Sequence, residues 1–315
     1  MLTSKRSRAA KQRYRVTNWP DYNRALVNRG SLMLWISDDV LKDWRATSGR
    51  GQRYTDTAII CALCLKVVLC LPLRQTQGFL ESLKQLLGLA IAIPHYSTLS
   101  RRASQLVVPQ CPRLRPGEHI HLAVDSTGLK VFGEGEWKTR VHGKDKRRTW
   151  RKLHLGVDSE TGEVHAHQLT GNDRGDGPEL SGLLDQIDGS IEAVYGDKGY
   201  DSFACHRAVL DKGAKPVIPA KKGASSKPPP TMKDPPTTRG AIVQRCQEIG
   251  RKEWKKESGY HRRSLAETAM FRYKTIISPS LKARKMTAQK TEAAIAIHIL
   301  NRFTALGMPK AVEIK

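Results

Sequence analysis

The spacing of apolar residues changes near residue 119, from a helical period of about 3.6 to the alternation of a β-strand. Beyond that point five short strands are predicted, and the turn Asp158-Ser159-Glu160-Thr161-Gly162 joins the second to the third. The predicted strands are 119–125, 149–157, 163–169, 191–195 and 215–218, with predicted helices at 177–187 and 205–211. This order is typical of an α/β domain and excludes a helical bundle.

The preceding residues carry helical patterns and are predicted to form a separate α-helical region, 1–117. Two of its helices, 75–89 and 97–106, are separated by a break at Pro94. They resemble a helix-turn-helix, whose second helix enters the major groove of DNA. That second helix carries Arg101 and Arg102, which are candidates to contact DNA. The alternative, a solvated charged face, stays open.

The remaining residues, 118–315, are predicted to form the α/β domain, and helical patterns return at 260–277 and 288–305. Its segment 221–257 is rich in proline and lysine, a composition that cannot form a compact core by itself. We therefore expect an inserted loop there.

The chain has 54 Lys and Arg residues against 30 Asp and Glu residues, a formal charge of +24. This excess favours a polyanionic partner, because clustered cations gain affinity by releasing counterions from nucleic acid. A membrane is the weaker candidate, since the longest apolar run, 58–71, is short of the about 20 residues that span a bilayer and contains Lys66. No apolar segment follows the basic residues 1–15, so no secretory signal is expected and the cytoplasm is the predicted location.

Six irregularly spaced cysteines favour reduced, buried thiols over a disulfide framework. Cys61 and Cys64 form a C-x-x-C pattern inside an apolar helix, without a second pair of ligands at zinc spacing. Core packing is therefore favoured over zinc or redox use.

Three carboxylates stand out: Asp125 and Asp197 end predicted strands, and Glu267 lies on a later predicted helix. If the two strands are parallel neighbours, their carboxyl ends lie side by side, where open α/β sheets place active sites. Two carboxylates so near to each other raise each other's pKa unless a cation neutralises them. Oxygen ligands without Cys or His suit Mg²⁺ or Mn²⁺. A strand-end aspartate is also a common turn residue. Asp158 is a competitor, but the turn after it places it at the opposite sheet edge.

The segment around Glu267 has two interpretations. Tyr260, Arg263, Glu267 and Lys274 are spaced by three, four and seven residues. On one continuous helix they would share a stripe roughly 60° wide, suited to a metal ligand flanked by phosphate-binding groups. Alternatively, Ser264 and Glu267 form a capping box, the helix begins at Ser264, and Tyr260 and Arg263 precede it. Spacing alone favours neither.

These residues carry a resemblance. With Asp125 in Val-Asp-Ser-Thr-Gly and Asp197 in Gly-Asp-Lys-Gly-Tyr, the pattern resembles the DDE transposases of bacterial insertion sequences. The stretches that resemble insertion-sequence family five, in its nine-zero-three subgroup, are 17–35, 125–138, 150–158 and 262–269. The segment 225–247 has no clear match.

The resemblance implies an RNase H-like core, with Asp125 on the first strand, Asp197 after the fourth and Glu267 on a following helix. Together these residues would hold two Mg²⁺ ions, which Mn²⁺ could replace. Hydrolysis at the ends of the element would free 3′-OH groups, which then attack target DNA in a two-metal reaction. By the same resemblance, Tyr260, Arg263 and Lys274 position phosphates and bases and do not bind metal.

The partners implied are double-stranded DNA, as terminal inverted repeats and as target, and further copies of the chain. Because two ends must be bridged, a homodimer or higher oligomer is expected, associated with the nucleoid of a bacterial cytoplasm. Two other functions stay open: a nuclease of the same fold, and a catalytically silent DNA-binding regulator. A binding protein has no need of three converging carboxylates.

Cations and indoles concentrate between the first predicted strand and the beginning of the second. The residues concerned are Trp137, Lys138, Arg147, Arg148, Trp150, Arg151 and Lys152. Cations on phosphates and indoles on splayed bases would hold a DNA strand end near the carboxylates. A solvated basic hairpin is the alternative.

Overall fold

After one short strand near residue 13, helices make up the first part of the fold, and strands resume at His119, as the change in periodicity predicts. The computed structural model describes residues 13–45, 53–109, 114, 117–131, 150–228 and 237–314. The helices are α1 (Trp19–Asn28), α2 (Asp38–Lys42), α3 (Asp56–Val68), α4 (Leu73–Leu86), α5 (Tyr96–Arg102), α6 (Asp176–Leu184), α7 (Phe203–Asp211), α8 (Thr237–Glu248), α9 (Gly250–Glu257), α10 (Ser264–Arg272) and α11 (Met286–Leu306). The strands are β1 (Arg13–Val16), β2 (His119–Val131), β3 (Trp150–Asp158), β4 (Val164–Gly171), β5 (Ser190–Tyr195), β6 (Lys215–Val217), β7 (Ser280–Leu281) and β8 (Ala311–Ile314).

The main sheet has the strand order β4-β3-β2-β5-β6, and β7 pairs with the far end of β2. The strands β2, β3 and β4 are antiparallel neighbours, whereas β5 runs parallel to β2 and β6 runs parallel to β5. The predicted turn joins β3 to β4: the Asp158 carboxylate accepts hydrogen bonds from the N–H groups of Glu160 at 3.2 Å and Thr161 at 3.0 Å. Gly162 has φ of +76°, a left-handed conformation that glycine adopts without strain. Asp158 is therefore a turn residue.

Helices cover both faces of this sheet, because its strands are apolar on both sides. The helices α10 and α11 pack on the face that includes Ala123, Leu129 and Leu155. The helices α6 and α7 pack on the opposite face, which includes Leu122 and Val124. Alternation along β2 thus assigns its odd-numbered residues from 123 to 129 to the side of α10.

The N-terminal helices share a hydrophobic core with α11. Helix α3 is apolar around its circumference, with residues 58–65 buried, and Ile295 and Phe303 of α11 belong to the same core. Nearby, β1 pairs with β8. Cys61 and Cys64 are buried in this core, as predicted, and burial raises the pKa of the Cys61 thiol to about 12. Within the described ranges no single helix is long and apolar enough to cross a membrane; α3 and α4 pass that test only as a pair bent by 109°.

Helix α5 is shorter than the prediction for 97–106. It begins at Tyr96, where the His95 ring accepts a hydrogen bond from the N–H of Ser97 at 3.4 Å, and it ends at Arg102. Helices α4 and α5 contact each other, but their use as a helix-turn-helix stays a prediction.

The loop prediction for 221–257 is wrong for its second half, which forms α8 and α9. Val243, Cys246 and Trp254 are buried against residues of β5 and β6, so a few apolar side chains suffice to define a packed face in this charged segment. Arg239 pairs with the buried carboxylate of Asp201 at 2.7 Å. The packed helices also cover the side of the sheet next to the short strand β6, which limits exposure of an edge strand.

One side chain of α11 completes the hydrogen bonding of β4. The Asn301 amide accepts a hydrogen bond from the N–H of Val164 at 2.9 Å and donates one to its carbonyl at 2.9 Å. We expect Asn301→Ala to lower the free energy of unfolding by about 1–3 kcal/mol, because it leaves both backbone groups without this partner. Thermal unfolding measures the loss. Asn301→Asp keeps the acceptor and loses the donor, so its stability should lie between those of the native protein and Asn301→Ala. An unchanged unfolding midpoint for Asn301→Ala would contradict this role.

Candidate active site

The register between β2 and β5 places two aspartates side by side. Ala123 of β2 is the partner of Tyr195 of β5, and Asp125 and Asp197 each follow two residues later along these parallel chains. Neighbouring strands lie about 4.8 Å apart, so the two residues lie side by side at the same level along β2. The expectation that parallel strands bring them together is in agreement with this register.

The two aspartates differ in their local setting. β2 continues six residues beyond its predicted end, so Asp125 lies within a strand and not at its end. Its carboxylate accepts a hydrogen bond from the N–H of Ser126 at 2.8 Å. Asp197 caps the short 3₁₀ turn Lys198–Tyr200 and accepts from the N–H of Gly199 at 2.6 Å. The strand prediction stopped early because Ser126 and Thr127 interrupt the apolar run, although both still pair with β3.

Glu267 reaches this position from the helix that covers the same face. It lies in the first turn of α10, and Arg263 lies in the 3₁₀ turn Tyr260–Arg263 just before that helix. One nitrogen of the Arg263 guanidinium is 2.7 Å from a carboxylate oxygen of Asp125, and the other bonds the carboxylate of Glu267. A single cation therefore joins the carboxylate of β2 to that of α10.

The pKa of Asp125 is affected by the charges of the other two acids. Burial raises the pKa of Asp125 above its usual value; the bond from Ser126 and the charge of Arg263 act to lower it, and the charges of Asp197 and Glu267 act to raise it. Burial wins over the guanidinium. Asp125 thus holds its charge less readily than a free carboxylate, as is common at functional sites.

The two interpretations of the Tyr260 segment can now be compared with the structure. The helix begins at Ser264 and Tyr260 and Arg263 precede it, as the capping-box interpretation expects. The capping box itself does not form, because no side chain caps the helix and the Ser264 hydroxyl donates to the His261 carbonyl at 2.8 Å. Glu267 nevertheless bonds Arg263, and the Tyr260 ring centre is 5.9 Å from the Arg263 guanidinium. Lys274 lies beyond α10 in a π-helical turn, Tyr273–Ile277, so the four residues do not form one straight stripe.

Comparison with known proteins identifies the family. A family model described as "Transposase DDE domain" matches residues 116–302, more than half of the chain, and a second model with the same description matches residues 27–134. This chain belongs to the DDE transposases. Among solved structures, the piggyBac transposase synaptic complex with hairpin DNA is similar at a TM-score of 0.38 and 12% identity, covering 93% of this chain and 77% of that chain. The family assignment depends on the sequence matches alone.

All three carboxylates of the transposase lie within the longer match, and their donor chemistry suits a hard divalent cation. Across the described part of the chain, however, no three His, Cys, Asp or Glu side chains converge closely enough to hold a metal ion. The guanidinium of Arg263 is the cation in contact with Asp125 and Glu267. The carboxylate oxygens are therefore suitable ligands for a divalent metal. They can converge on one only if the Arg263 guanidinium moves away from Asp125 and Glu267.

The structure places the other predicted DNA-binding residues of the transposase in several positions. Arg101 is exposed on α5, whereas the Arg102 side chain is 12% exposed and pairs with Asp56 and the Tyr54 carbonyl. Arg151 bonds the Gln289 side chain at 2.9 Å. Lys152 bonds the Arg174 carbonyl at 3.0 Å, and Trp150 lies under the Lys130 ammonium at 5.8 Å. The predictions for Trp137, Lys138, Arg147 and Arg148 fall outside the described residues.

A fourth acid near the site was missed by sequence reasoning. Asp176, the first residue of α6, lies 3.1 Å from the Lys152 ammonium and 3.6 Å from a ring nitrogen of the buried His154. Burial raises the pKa of Tyr200, and the charges of Asp176, Asp125 and Asp197 raise it further, so these acids surround one phenol. The sequence marks Asp176 only as an acid in a first helical turn, which is a common position for charge.

Asp125→Asn tests the electrostatics of this site without an activity measurement. An acid whose pKa is raised on folding contributes stability that is present below its usual value of 3.8 and lost as the pH rises through its folded value. We therefore expect the stability of the variant, relative to the native protein, to increase as the pH rises above 3.8. Thermal unfolding at a series of pH values measures the difference. The exposed Asp185→Asn serves as control, and a difference that does not change with pH would contradict the assignment.

Proposed function

We propose that this transposase cuts and joins DNA with Asp125, Asp197 and Glu267 as its metal-binding carboxylates, in an RNase H-like core. The register that sets Asp125 beside Asp197, with Glu267 linked to Asp125 through Arg263, carries this proposal. Three antiparallel strands followed by parallel strands, with helices on both faces, support the RNase H-like assignment. The position of Glu267 on a helix that packs against β2 and β3 agrees with it.

The three carboxylates would hold Mg²⁺ or Mn²⁺, which in the two-metal scheme would lower the pKa of an attacking water or 3′-OH and stabilise the leaving oxygen. The two aspartates, on neighbouring main-chain segments of a rigid sheet, fix where that chemistry occurs. Glu267 approaches from a separate helix, so it can adjust as the site loads.

Arg263 acts on both the acids and the substrate in this proposal. Its guanidinium now neutralises Asp125 and Glu267, and its planar donors also match the oxygens of a phosphodiester. With a divalent metal on the carboxylates, the guanidinium would be free to bind a DNA phosphate. Tyr260, half-buried beside Arg263, offers a ring on which an unpaired base can stack, and Lys274 extends the basic surface.

The substrates in this proposal are the inverted repeats at the ends of the transposase's own insertion sequence, followed by target DNA. Hydrolysis at the ends frees 3′-OH groups, and these displace a phosphodiester of the target. Bridging two ends calls for at least two copies of the chain. We place the protein with the bacterial nucleoid and in the subgroup that the sequence resembles.

Conservative substitutions test the three carboxylates. We expect Asp125→Asn, Asp197→Asn and Glu267→Gln each to reduce DNA strand cleavage by more than about 100-fold, beyond the loss expected for a residue that only supports a metal ligand. End binding, measured by gel shift, should stay within a few-fold of native. Asp185→Asn is the matched control, an exposed aspartate paired with Lys212. Retention of cleavage by any of the three variants would overturn the assignment.

A second assay separates a transposase reaction from that of a simple nuclease. Pre-cut end duplexes with free 3′-OH groups are mixed with the native protein, a divalent metal and a supercoiled target. Joined products are expected, because the 3′-OH takes the place of water as nucleophile. Hydrolysis without joining would mean that this copy acts only as a nuclease.

A further inference from the structure

A cleft of about 860 Å³ lies between the N-terminal helices and the segment that links β7 to α11. Five basic side chains line it, and we call it the cationic cleft. These residues are Lys66 of α3, Arg101 of α5, and Lys282, Arg284 and Lys285 of the linking segment. Ser97, Ser100 and Ser104 lie on the same lining, with the Ser97 hydroxyl 2.7 Å from a ring nitrogen of His95. Both kinds of group donate hydrogen bonds to phosphate oxygens.

The single carboxylate in the lining serves the backbone. Both oxygens of Glu292 accept hydrogen bonds from the N–H of Lys282, at 2.9 and 3.0 Å, and one accepts from the N–H of Ala283 at 2.8 Å. None of the five basic side chains forms an ion pair with a described residue, whereas the adjacent Arg102 pairs with Asp56. The cleft therefore keeps a surplus of positive charge.

This surplus is unfavourable for the protein alone. Lys66 is half-buried within the apolar helix α3, and burial lowers its pKa; Glu292 acts to raise it and Lys282 to lower it. Helix α11 begins beside the cleft, so the positive end of its dipole adds to the same field. A bound anion would relieve this repulsion, which is the energetic reason to expect one.

We propose that the cationic cleft binds the phosphate backbone of duplex DNA, as a second contact site apart from the carboxylates. Five cations and the donor hydroxyls are complementary to a row of phosphates. The one carboxylate, Glu292, is already bonded to backbone N–H groups. An isolated small anion would need fewer cations than the cleft supplies. Both walls contribute, so the bound backbone bridges the N-terminal helices and the segment before α11.

The distance to the carboxylates suits one continuous duplex. Leu281 of β7 pairs with Val131, six residues along β2 from Asp125, which corresponds to about 20 Å of extended strand. The duplex rises about 3.4 Å per base pair, so that span equals roughly six base pairs. Helix α11, which lines the cleft, packs on the same face of the sheet as α10, which carries Glu267. In this proposal the duplex therefore runs from the cleft towards the carboxylates.

The test compares two triple variants with the same loss of charge. Lys282→Ala, Arg284→Ala and Lys285→Ala remove three exposed cations of the cleft. Arg24→Ala, Lys42→Ala and Lys310→Ala remove three exposed cations elsewhere. Both sets are made in the full chain carrying Asp125→Asn, without divalent metal, so that DNA binding is measured apart from cleavage. Unfolding curves for both sets establish that the fold is retained.

Binding of a fluorescent 30-base-pair duplex is measured over a series of salt concentrations. The cleft variant is expected to reduce the slope of log Kd against log salt by about 2 to 3, since each phosphate contact contributes about 0.9. The control variant should change it by less than about 1. Equal changes in both, or no change in the cleft variant, overturn the proposal. So does a cleft variant that loses affinity for inorganic phosphate alone with its DNA slope intact, which would indicate a small-anion site.

The outcome is independent of the proposed catalytic residues. If Asp125→Asn cleaves DNA, the proposed function fails, yet the salt dependence still tests the cleft. If the slope is unchanged while the three carboxylates prove essential, the cleft proposal fails alone. As a second measurement, ethylation of end-duplex phosphates should interfere with native binding about six base pairs from the cleavage position, and this interference should be absent in the cleft variant.

Discussion

The parallel pairing of β2 with β5 determines where the acids of this protein meet. Because Ala123 pairs with Tyr195, Asp125 and Asp197 lie side by side although they are far apart in the sequence. The other features of the site depend on that closeness: α10 brings a third carboxylate, and the turn before it brings Arg263. A shift of one residue in the register would turn one of the aspartates to the opposite face, against α6 and α7.

The charge of the whole chain and the charge of the site have opposite signs, and both serve nucleic-acid chemistry. A formal +24 attracts DNA, while burial makes Asp125 reluctant to hold a negative charge even with a guanidinium at 2.7 Å. Arg263 therefore offsets the cost of burying this carboxylate only in part. Sites held in such a state are typical of function and not of stability.

Alternation and turn chemistry were sufficient to predict β2, β3 and β4 and the turn at Asp158, because these depend on local residue types. The short strand β1 was not predicted, and the closeness of the two aspartates followed only on the condition, met by the register, that β2 and β5 are parallel neighbours. The extent of β2 was not predictable, since Ser126 and Thr127 are held in the strand by β3 and not by their own preference. The same holds for α8 and α9, whose buried face depends on neighbours such as Val217. The bond between Arg263 and Asp125 joins residues distant in sequence, and spacing along one helix cannot reveal it.

Helix α11 belongs to both parts of the protein. Ile295 and Phe303 fill the core of the N-terminal helices, while Ala293 and Leu300 pack on the sheet. The ribosome makes this helix after every element that it holds together, so the N-terminal helices emerge with an incomplete core. The pairing of β1 with β8 likewise waits until β8 has been made. The cores of both parts are therefore completed only after α11 has been made.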